Sequence, residues 1–319
     1  MITIDGGHLE GGGQIVRAAV ALSSLTREPV RIMNIRANRS PQGLAAQHVA
    51  AVIAAEAVSG AETEGVQIRS TEILFYPGIP VKKDIRVDIG TAGSIPLVLS
   101  AWLPQALETG GTITITGGTE VRAAPTIDYW NGVFLEYLRS HGARVSMEIE
   151  SRGYYPIGGG QVKVHAEPSA MSALGATAPC GCGIISASSG LPDHVAARQA
   201  SAAASIAGDL PVRIIRQRGP GVGSSCTVYS GGHGGAALGE RGLPAEDVGR
   251  MAGEAFLEYP EGDVDPYLAD QLLIYLAAKG GSFTTQEITS HSMTMIRLLE
   301  QFGYTITLTD HHGCVEVSA

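Results

Sequence analysis

Ala57-Val58-Ser59-Gly60-Ala61 closes one helix-like stretch, and the same ending returns as Arg139-Ser140-His141-Gly142-Ala143 and as Glu300-Gln301-Phe302-Gly303-Tyr304. Glycine just past a helix is a common C-terminal stop, because it enters the left-handed conformation without a Cβ penalty. Before each of these helices lies an alternating, strand-like run: Pro29 to Ile35, Gly111 to Thr116 and Gly281 to Ile288. Before each strand lies another helix, first the glycine-opened one near Gln14, then Ala92 to Leu103, then Tyr267 to Leu276. Gly60 and Gly142 stand 82 positions apart, whereas Gly142 and Gly303 stand 161 apart, one period and about 79 residues more. The extra segment is the alanine- and glycine-rich stretch from about Gly181 to Glu261, which carries its own helix signals at Asp193 to Arg198 and Pro244 to Val248. The expected fold is therefore α+β, three tandem repeats of a helix-on-sheet unit with a small inserted α/β domain interrupting the third. Residues 1–180 hold the first two repeats and the start of the third, 181–261 the insert, and 262–319 the remainder. Repeats of this kind bring their helix-opening loops together around a shared cleft.

Composition narrows the function. With 319 residues, 44% hydrophobic and 17% charged, the chain buries a full core. No apolar run reaches the twenty or so residues of a membrane span. Met1-Ile2-Thr3-Ile4-Asp5 goes straight into strand-like alternation rather than a signal peptide, so the expected compartment is the cytoplasm. A net charge of −9 argues against coating duplex nucleic acid, which needs a basic surface, but leaves room for an RNA end gripped by a few arginines. Aromatics are only 5%, so stacking platforms are small. The four cysteines, Cys180, Cys182, Cys226 and Cys314, lack the density of a disulfide framework and are expected to be free thiols. Gly231-Gly232-His233-Gly234-Gly235 is read as a hairpin loop.

Four clusters carry chemistry. Glu10-Gly11-Gly12-Gly13-Gln14-Ile15-Val16-Arg17 opens a helix on three glycines, which lets backbone N–H groups approach an anion closely; the alternative is a plain strand-to-helix turn with a solvated arginine. Arg36 and Arg39, three apart and followed by Gln47, suit bidentate grip on a dianionic phosphate, with solvated loop arginines as the alternative. Asp265-Pro266-Tyr267 is a strong helix start, and it sets Tyr267, Asp270 and Gln271 on one polar face. His291 falls in the first turn of a helix, where the dipole favours neutral, nucleophilic imidazole; a capping or packing histidine is the alternative.

Taken together, Glu10 to Arg17, the Ile35-Arg36-Ala37-Asn38-Arg39 loop, Ile89 to Ser94, Arg152-Gly153-Tyr154-Tyr155-Pro156-Ile157-Gly158-Gly159-Gly160, Tyr267 to Gln271 and Ser290-His291 with Thr294 resemble the RNA 3′-terminal phosphate cyclases over essentially the whole chain. The Arg-Gly-x-x-Pro-x-Gly-Gly-Gly stretch is that family's signature. The resemblance implies repeats like the C-terminal domain of translation initiation factor three. It implies a ligase that forms a 2′,3′-cyclic phosphate with release of AMP and diphosphate, using ATP as co-substrate and Mg²⁺ or Mn²⁺. By the same resemblance His291 becomes adenylylated, and Glu10 ligates the metal. Gln14, Pro125, Tyr129, Tyr267, Asp270 and Gln271 serve the nucleotide, while Arg17, Arg36, Arg39 and Gln47 hold the RNA phosphate. Two departures bear on the nucleotide contacts. Met295 stands where the family often has asparagine, and Ser100 where bacterial relatives can carry glutamine. A cyclase-like scaffold without catalysis, in RNA processing or ribosome assembly, is the competing class, and retention of His291, Glu10, Arg36 and Arg39 argues against it. A carboxyvinyl transferase built from similar repeats would not explain the signature stretch.

Overall fold

Gly60, Gly142 and Gly303 all take positive φ, 63°, 94° and 84°, so each expected helix stop is used as one. The computed structural model describes residues 1–8, 12–176 and 181–319. β1 (Ile2–Asp5), α1 (Gly13–Thr26), β2 (Val30–Met33), α2 (Ala46–Ser59), β3 (Glu62–Glu64) and β4 (Ile73–Tyr76) come first. Their sheet runs β1-β2-β4-β3, with β1 parallel to β2 and the other pairs antiparallel. Next come β5 (Lys83–Asp88), α3 (Ile95–Thr109), β6 (Gly111–Gly117), α4 (Ile127–Tyr129), a π-helical turn Trp130–Leu135, α5 (Glu136–Ser140), β7 (Val145–Ser151) and β8 (Gly160–Ala166). This second sheet has the same strand order, β5-β6-β8-β7, and the same pairing senses.

A different sheet follows. β9 (Cys182–Ser189), α6 (His194–Ala207), β10 (Val212–Gln217), β11 (Gly223–Ser230), β12 (His233–Leu238) and α7 (Ala245–Leu257) form a sheet of order β10-β9-β11-β12. It has a small core of its own around Ile184, Cys226, Val228 and Val248. The abundance of alanine and glycine here has a packing reason: α6 and α7 lie so close that a Cβ on Gly249 would meet the Gln199 carbonyl at 2.0 Å. Gly231 and Gly232 make the two-residue turn of the β11–β12 hairpin, with Ser230 paired to His233. The last elements are α8 (Pro266–Lys279), β13 (Ser282–Thr285), α9 (Ser290–Gln301), β14 (Thr307–His311) and β15 (Cys314–Ser318), whose sheet runs β13-β15-β14. Beside β13, Leu174 makes a parallel bridge to Gly281, on the edge that β1 and β5 hold in the first two sheets.

Local chemistry sets the element ends. β2 stops at Met33 because Asn34 and Arg36 both turn into the left-handed region, at φ 54°. α3 begins at Ile95, three residues later than its apolar pattern suggests. Ser94 caps it by accepting from Leu97 N, and Gly93 instead accepts from Gly118 N through its carbonyl at 2.7 Å. α8 is capped as the sequence indicates, with Asp265 accepting from Tyr267 N and Leu268 N.

α1 departs from a simple stripe. Ile15, Val16, Ala18 to Ala21 and Leu22 are all buried, because α1 packs against α2 and α3 as well as its sheet. The main core also encloses Trp102 and Trp130 completely. An indole of roughly 200 Å² removed from water stabilises the fold by about 5 kcal/mol. No helix among the described residues is long and apolar enough to cross a membrane. Cys182, Cys226 and Cys314 are free thiols, and Cys180 lies outside the described residues.

Candidate active site

Thr289 caps α9 by accepting from Ser292 N at 3.0 Å, which puts His291 in the first helical turn. Gln14, in the first turn of α1, reaches it from 277 positions away: its Nε2 donates to the His291 carbonyl at 3.4 Å, and its Oε1 lies 2.7 Å from Nδ1. A carbonyl only accepts, so the amide NH₂ must face it. Oε1 then faces the ring and is placed to accept from a protonated Nδ1. In that tautomer the lone pair of the neutral ring is on Nε2.

Gln14 and His291 line a cleft of about 500 Å³, a size that suits a nucleotide-sized ligand. Pro125, Tyr129, Tyr267, Asp270 and Gln271, the rest of the expected nucleotide set, line it too, and so does Arg17. The first turns of α1, α8 and α9 thus open on one space, an arrangement that favours anions. Ser100 and Met295 are in the wall as well. The Ser100 hydroxyl donates to the Leu97 carbonyl of its own helix at 2.8 Å, and Met295 is buried.

Several polar groups of the cleft are already committed. The Tyr129 hydroxyl donates to Asp265 Oδ1 at 2.8 Å and Oδ2 at 2.9 Å, so Tyr129 offers its ring. Gly234 packs on that ring, and a Cβ there would meet it at 2.8 Å. Burial pushes the Asp265 carboxyl up to about 6, against the pull of N–H donors from Leu268, Gly234 and Tyr267 and the Tyr129 hydroxyl. Asp270 accepts from Thr289 Oγ1 at 2.8 Å and from Ser292 Oγ, so it braces the turn that carries His291. Tyr267 is 52% exposed at the rim, its ring set edge-on to Tyr259.

The phosphate set divides. Arg17 is half-buried in the cleft wall, and desolvation lowers its guanidinium to about 10, still a cation at neutral pH. Behind it, His48 is pushed down to about 3 by burial and by the charges of Arg17 and Arg36, so it is neutral. Its Nδ1 accepts from Ala45 N at 3.0 Å, which leaves the ring proton on Nε2, stacked so tightly on Gly13 that a Cβ there would lie 2.0 Å away. Arg36 donates from Nη1 to the Gly43 carbonyl at 3.0 Å, and burial together with Arg39 and Arg69 lowers its pKa. Arg39 is exposed on the same loop. Gln47 turns elsewhere: its Oε1 accepts from Ser94 N at 3.0 Å, tying α2 to the start of α3. Glu10, the expected metal ligand, lies outside the described residues. Among the described residues no three His, Cys, Asp or Glu side chains converge as a metal cage.

Comparison with known proteins bears directly on this site. The family model for RNA 3′-terminal phosphate cyclase matches residues 8–307. A relative of that name from Thermococcus onnurineus is 45% identical, covering 95% of this chain and 93% of its own length. Another from Archaeoglobus fulgidus is 44% identical over 95% of each chain, and one from Nitrosospira multiformis is 41% identical over 95% and 91%. This chain belongs to the RNA 3′-terminal phosphate cyclase family. Among solved structures, an EPSP synthase from Acinetobacter baumannii aligns with a TM-score of 0.32 and 10% identity, covering 99% of this chain and 64% of that one, a likeness too weak to carry any argument.

The stretch that marks the cyclase family in sequence is a structural seat. Arg152 is 1% exposed and holds Asp128 through two 2.7 Å bonds and Glu120 through one of 2.5 Å. Burial raises the Glu120 carboxyl above its ordinary value, against the pull of the Arg152 charge. For Arg152 burial acts the other way, and the Asp128 and Glu120 carboxylates more than offset it. Arg152 N donates to Gln217 Oε1 at 3.1 Å, and Tyr154 lies against Gly221 and Gly223. The loop therefore seats the turn between β10 and β11. Three contributions to the cleft were not read from the sequence of this cyclase-family chain. Gly234 and Gly235 come from the β11–β12 hairpin, Glu258 follows α7, and Asp265 props Tyr129. The Gly-Gly-His-Gly-Gly run was the available signal, and its hairpin geometry is what brings Gly234 onto Tyr129.

Proposed function

We propose that this chain converts an RNA 3′-terminal phosphate to a 2′,3′-cyclic phosphate through a covalent histidine–AMP intermediate. The names of its relatives support the substrate and product class. The observation that carries the mechanism is the Gln14–His291 pair inside the cleft. A 3′-phosphate has no good leaving group, so the neighbouring 2′-hydroxyl needs it activated first. His291 Nε2 attacks the α-phosphorus of ATP and diphosphate departs. The proton stays on Nδ1 and is donated to Gln14 Oε1, which stabilises the positive ring of the phosphoramidate. An oxygen of the RNA 3′-phosphate then displaces His291 and takes the AMP as an anhydride. Finally the 2′-hydroxyl attacks the 3′-phosphorus, loses its proton, and expels AMP.

In this reading Pro125, Tyr129 and Tyr267 offer apolar and aromatic faces to the adenosine, with Asp270 and Gln271 at the start of α8 beside it. Arg17 and Arg36 hold the RNA phosphate, with Arg39 further out, and Gln47 acts through the α2–α3 junction rather than by direct contact. Glu10 would hold a Mg²⁺ or Mn²⁺, which would supply charge neutralisation for the triphosphate. We also read the architecture as three repeats resembling the C-terminal domain of translation initiation factor three. The matched strand orders of the first two sheets support it, and so does Leu174 on the edge of the third, ahead of an insert at 181–261. The test is product analysis on a 3′-phosphorylated oligoribonucleotide with ATP and Mg²⁺. The expected product resists phosphatase, whereas an otherwise equal oligonucleotide ending in a 2′-deoxynucleotide stops at the adenylylated end. Cyclisation independent of ATP would overturn the reading.

A further inference from the structure

Arg69 sits at φ 73°, in the left-handed region that a side-chain-bearing residue rarely adopts. Its surroundings hold it there. Arg69 N donates to the Leu44 carbonyl at 2.8 Å, Leu44 N donates to the Ser70 carbonyl at 2.9 Å, and Ile35 N donates to the Thr71 carbonyl at 3.0 Å. The 69–71 segment is thus stapled along the loop that carries Arg36 and Arg39. Gly43 sits between the two strands of this staple: its carbonyl accepts from Arg36 Nη1, and its Cα faces the Arg69 carbonyl so closely that a Cβ would lie 2.3 Å from it. Among the described residues the Arg69 guanidinium has no hydrogen bond or ion pair, and the residue is exposed.

The cations form a sequence from the cleft outward. Arg17 lines the cleft, Arg17 and Arg36 both act on His48, and Arg36 in turn feels Arg39 and Arg69. In a chain of net charge −9 this is a local concentration of positive charge leading away from the nucleophile. Gly43 joins Arg36 and Arg69, its carbonyl accepting from Arg36 Nη1 and its Cα facing the Arg69 carbonyl, so an RNA phosphate held at Arg36 has Arg69 as the neighbouring cation for its next phosphodiester. Backbone strain at an exposed cation, held by a rigid ladder, marks a functional position.

We infer that Arg69 binds the phosphodiester one nucleotide back from the RNA 3′ end and so sets the affinity for a strand rather than for a lone terminal phosphate. This rests on the proposed cyclase reading. The probe is a 3′-phosphorylated oligoribonucleotide, tested beside the same strand with that one linkage replaced by neutral methylphosphonate, both titrated by fluorescence anisotropy over a range of salt. Arg69→Gly relieves the positive φ and should melt no lower than wild type, which keeps folding out of the result. It should bind the native strand roughly tenfold more weakly, with the salt slope smaller by about 0.7, one phosphate contact on a single strand. It should bind the methylphosphonate strand as wild type does. Arg69→Lys should recover most of the loss. Wild-type affinity and slope in Arg69→Gly overturn the inference, as does an equal loss on both strands. A wild type that binds no 3′-phosphorylated RNA overturns the cyclase reading along with it.

Discussion

In the proposed mechanism the nucleophilic histidine needs one nitrogen aimed and the other held, and Gln14 is placed to hold Nδ1 of His291. Gln14→Leu keeps the bulk but lets either ring nitrogen carry the proton. Formation of the histidine adduct at saturating ATP should slow roughly 100-fold, the usual loss when an orienting partner is removed; an unchanged single-turnover rate contradicts the tautomer argument. Glu120 makes the other residue-scale prediction. Burial raises its carboxyl above the ordinary value near 4.5, so the folded state holds a proton over a window above that value. The stability it contributes is complete below the ordinary value and is lost as pH rises above it. Glu120→Gln should flatten the fall of the unfolding free energy as pH rises from about 5, and parallel profiles for mutant and wild type would count against it. His291 was legible from a helix start and Arg36 from residue type. Arg69 was not, because nothing in Gln67-Ile68-Arg69-Ser70 announces a left-handed residue; the pairing with Leu44 imposes it.

Asp265 and the helix stops were the most readable element ends, since their chemistry is local: Asp265 caps α8, and Gly60, Gly142 and Gly303 turn left-handed. The π-helical turn after Tyr129 was not readable. It has no residue signature; within it Trp130 packs on Phe134, and Phe134 on Tyr275. The Arg152–Gly160 loop was recognisable as a motif, yet its role was hidden, because the contacts that explain it lie on β10, β11 and the 90–93 turn. Gly158 shows how tightly the loop is set. It has φ 69°, and a Cβ would lie 2.7 Å from the Ala92 Cα. Gly158→Ala should destabilise by about 3 kcal/mol, combining left-handed strain with overpacking against backbone. Denaturant unfolding measures it, and a loss below about 0.5 kcal/mol, the range of ordinary surface changes, would show that the loop yields.

Across the whole molecule, the cleft is assembled from parts that are remote in sequence: α1 at one end, α9 at the other, and the β11–β12 hairpin with the start of α8 between them. The sequence pattern foretold a shared cleft from the recurrence of helix-opening loops. It could not tell which side chains would be drawn off to hold the parts together, as Gln47 is by Ser94 and Tyr129 by Asp265. In the proposed reading the RNA end meets Arg36 and Arg39 beyond His48 while the nucleotide occupies the cleft, so adenylylation of the protein is expected to need no RNA. The most direct measurement follows from that separation. The protein is incubated with ATP labelled at the α-phosphate and Mg²⁺, without RNA, then denatured and assayed for label on the chain. The account predicts an acid-labile, alkali-stable adduct in wild type and none in His291→Ala; an unlabelled wild type, or equal labelling of the two, contradicts it.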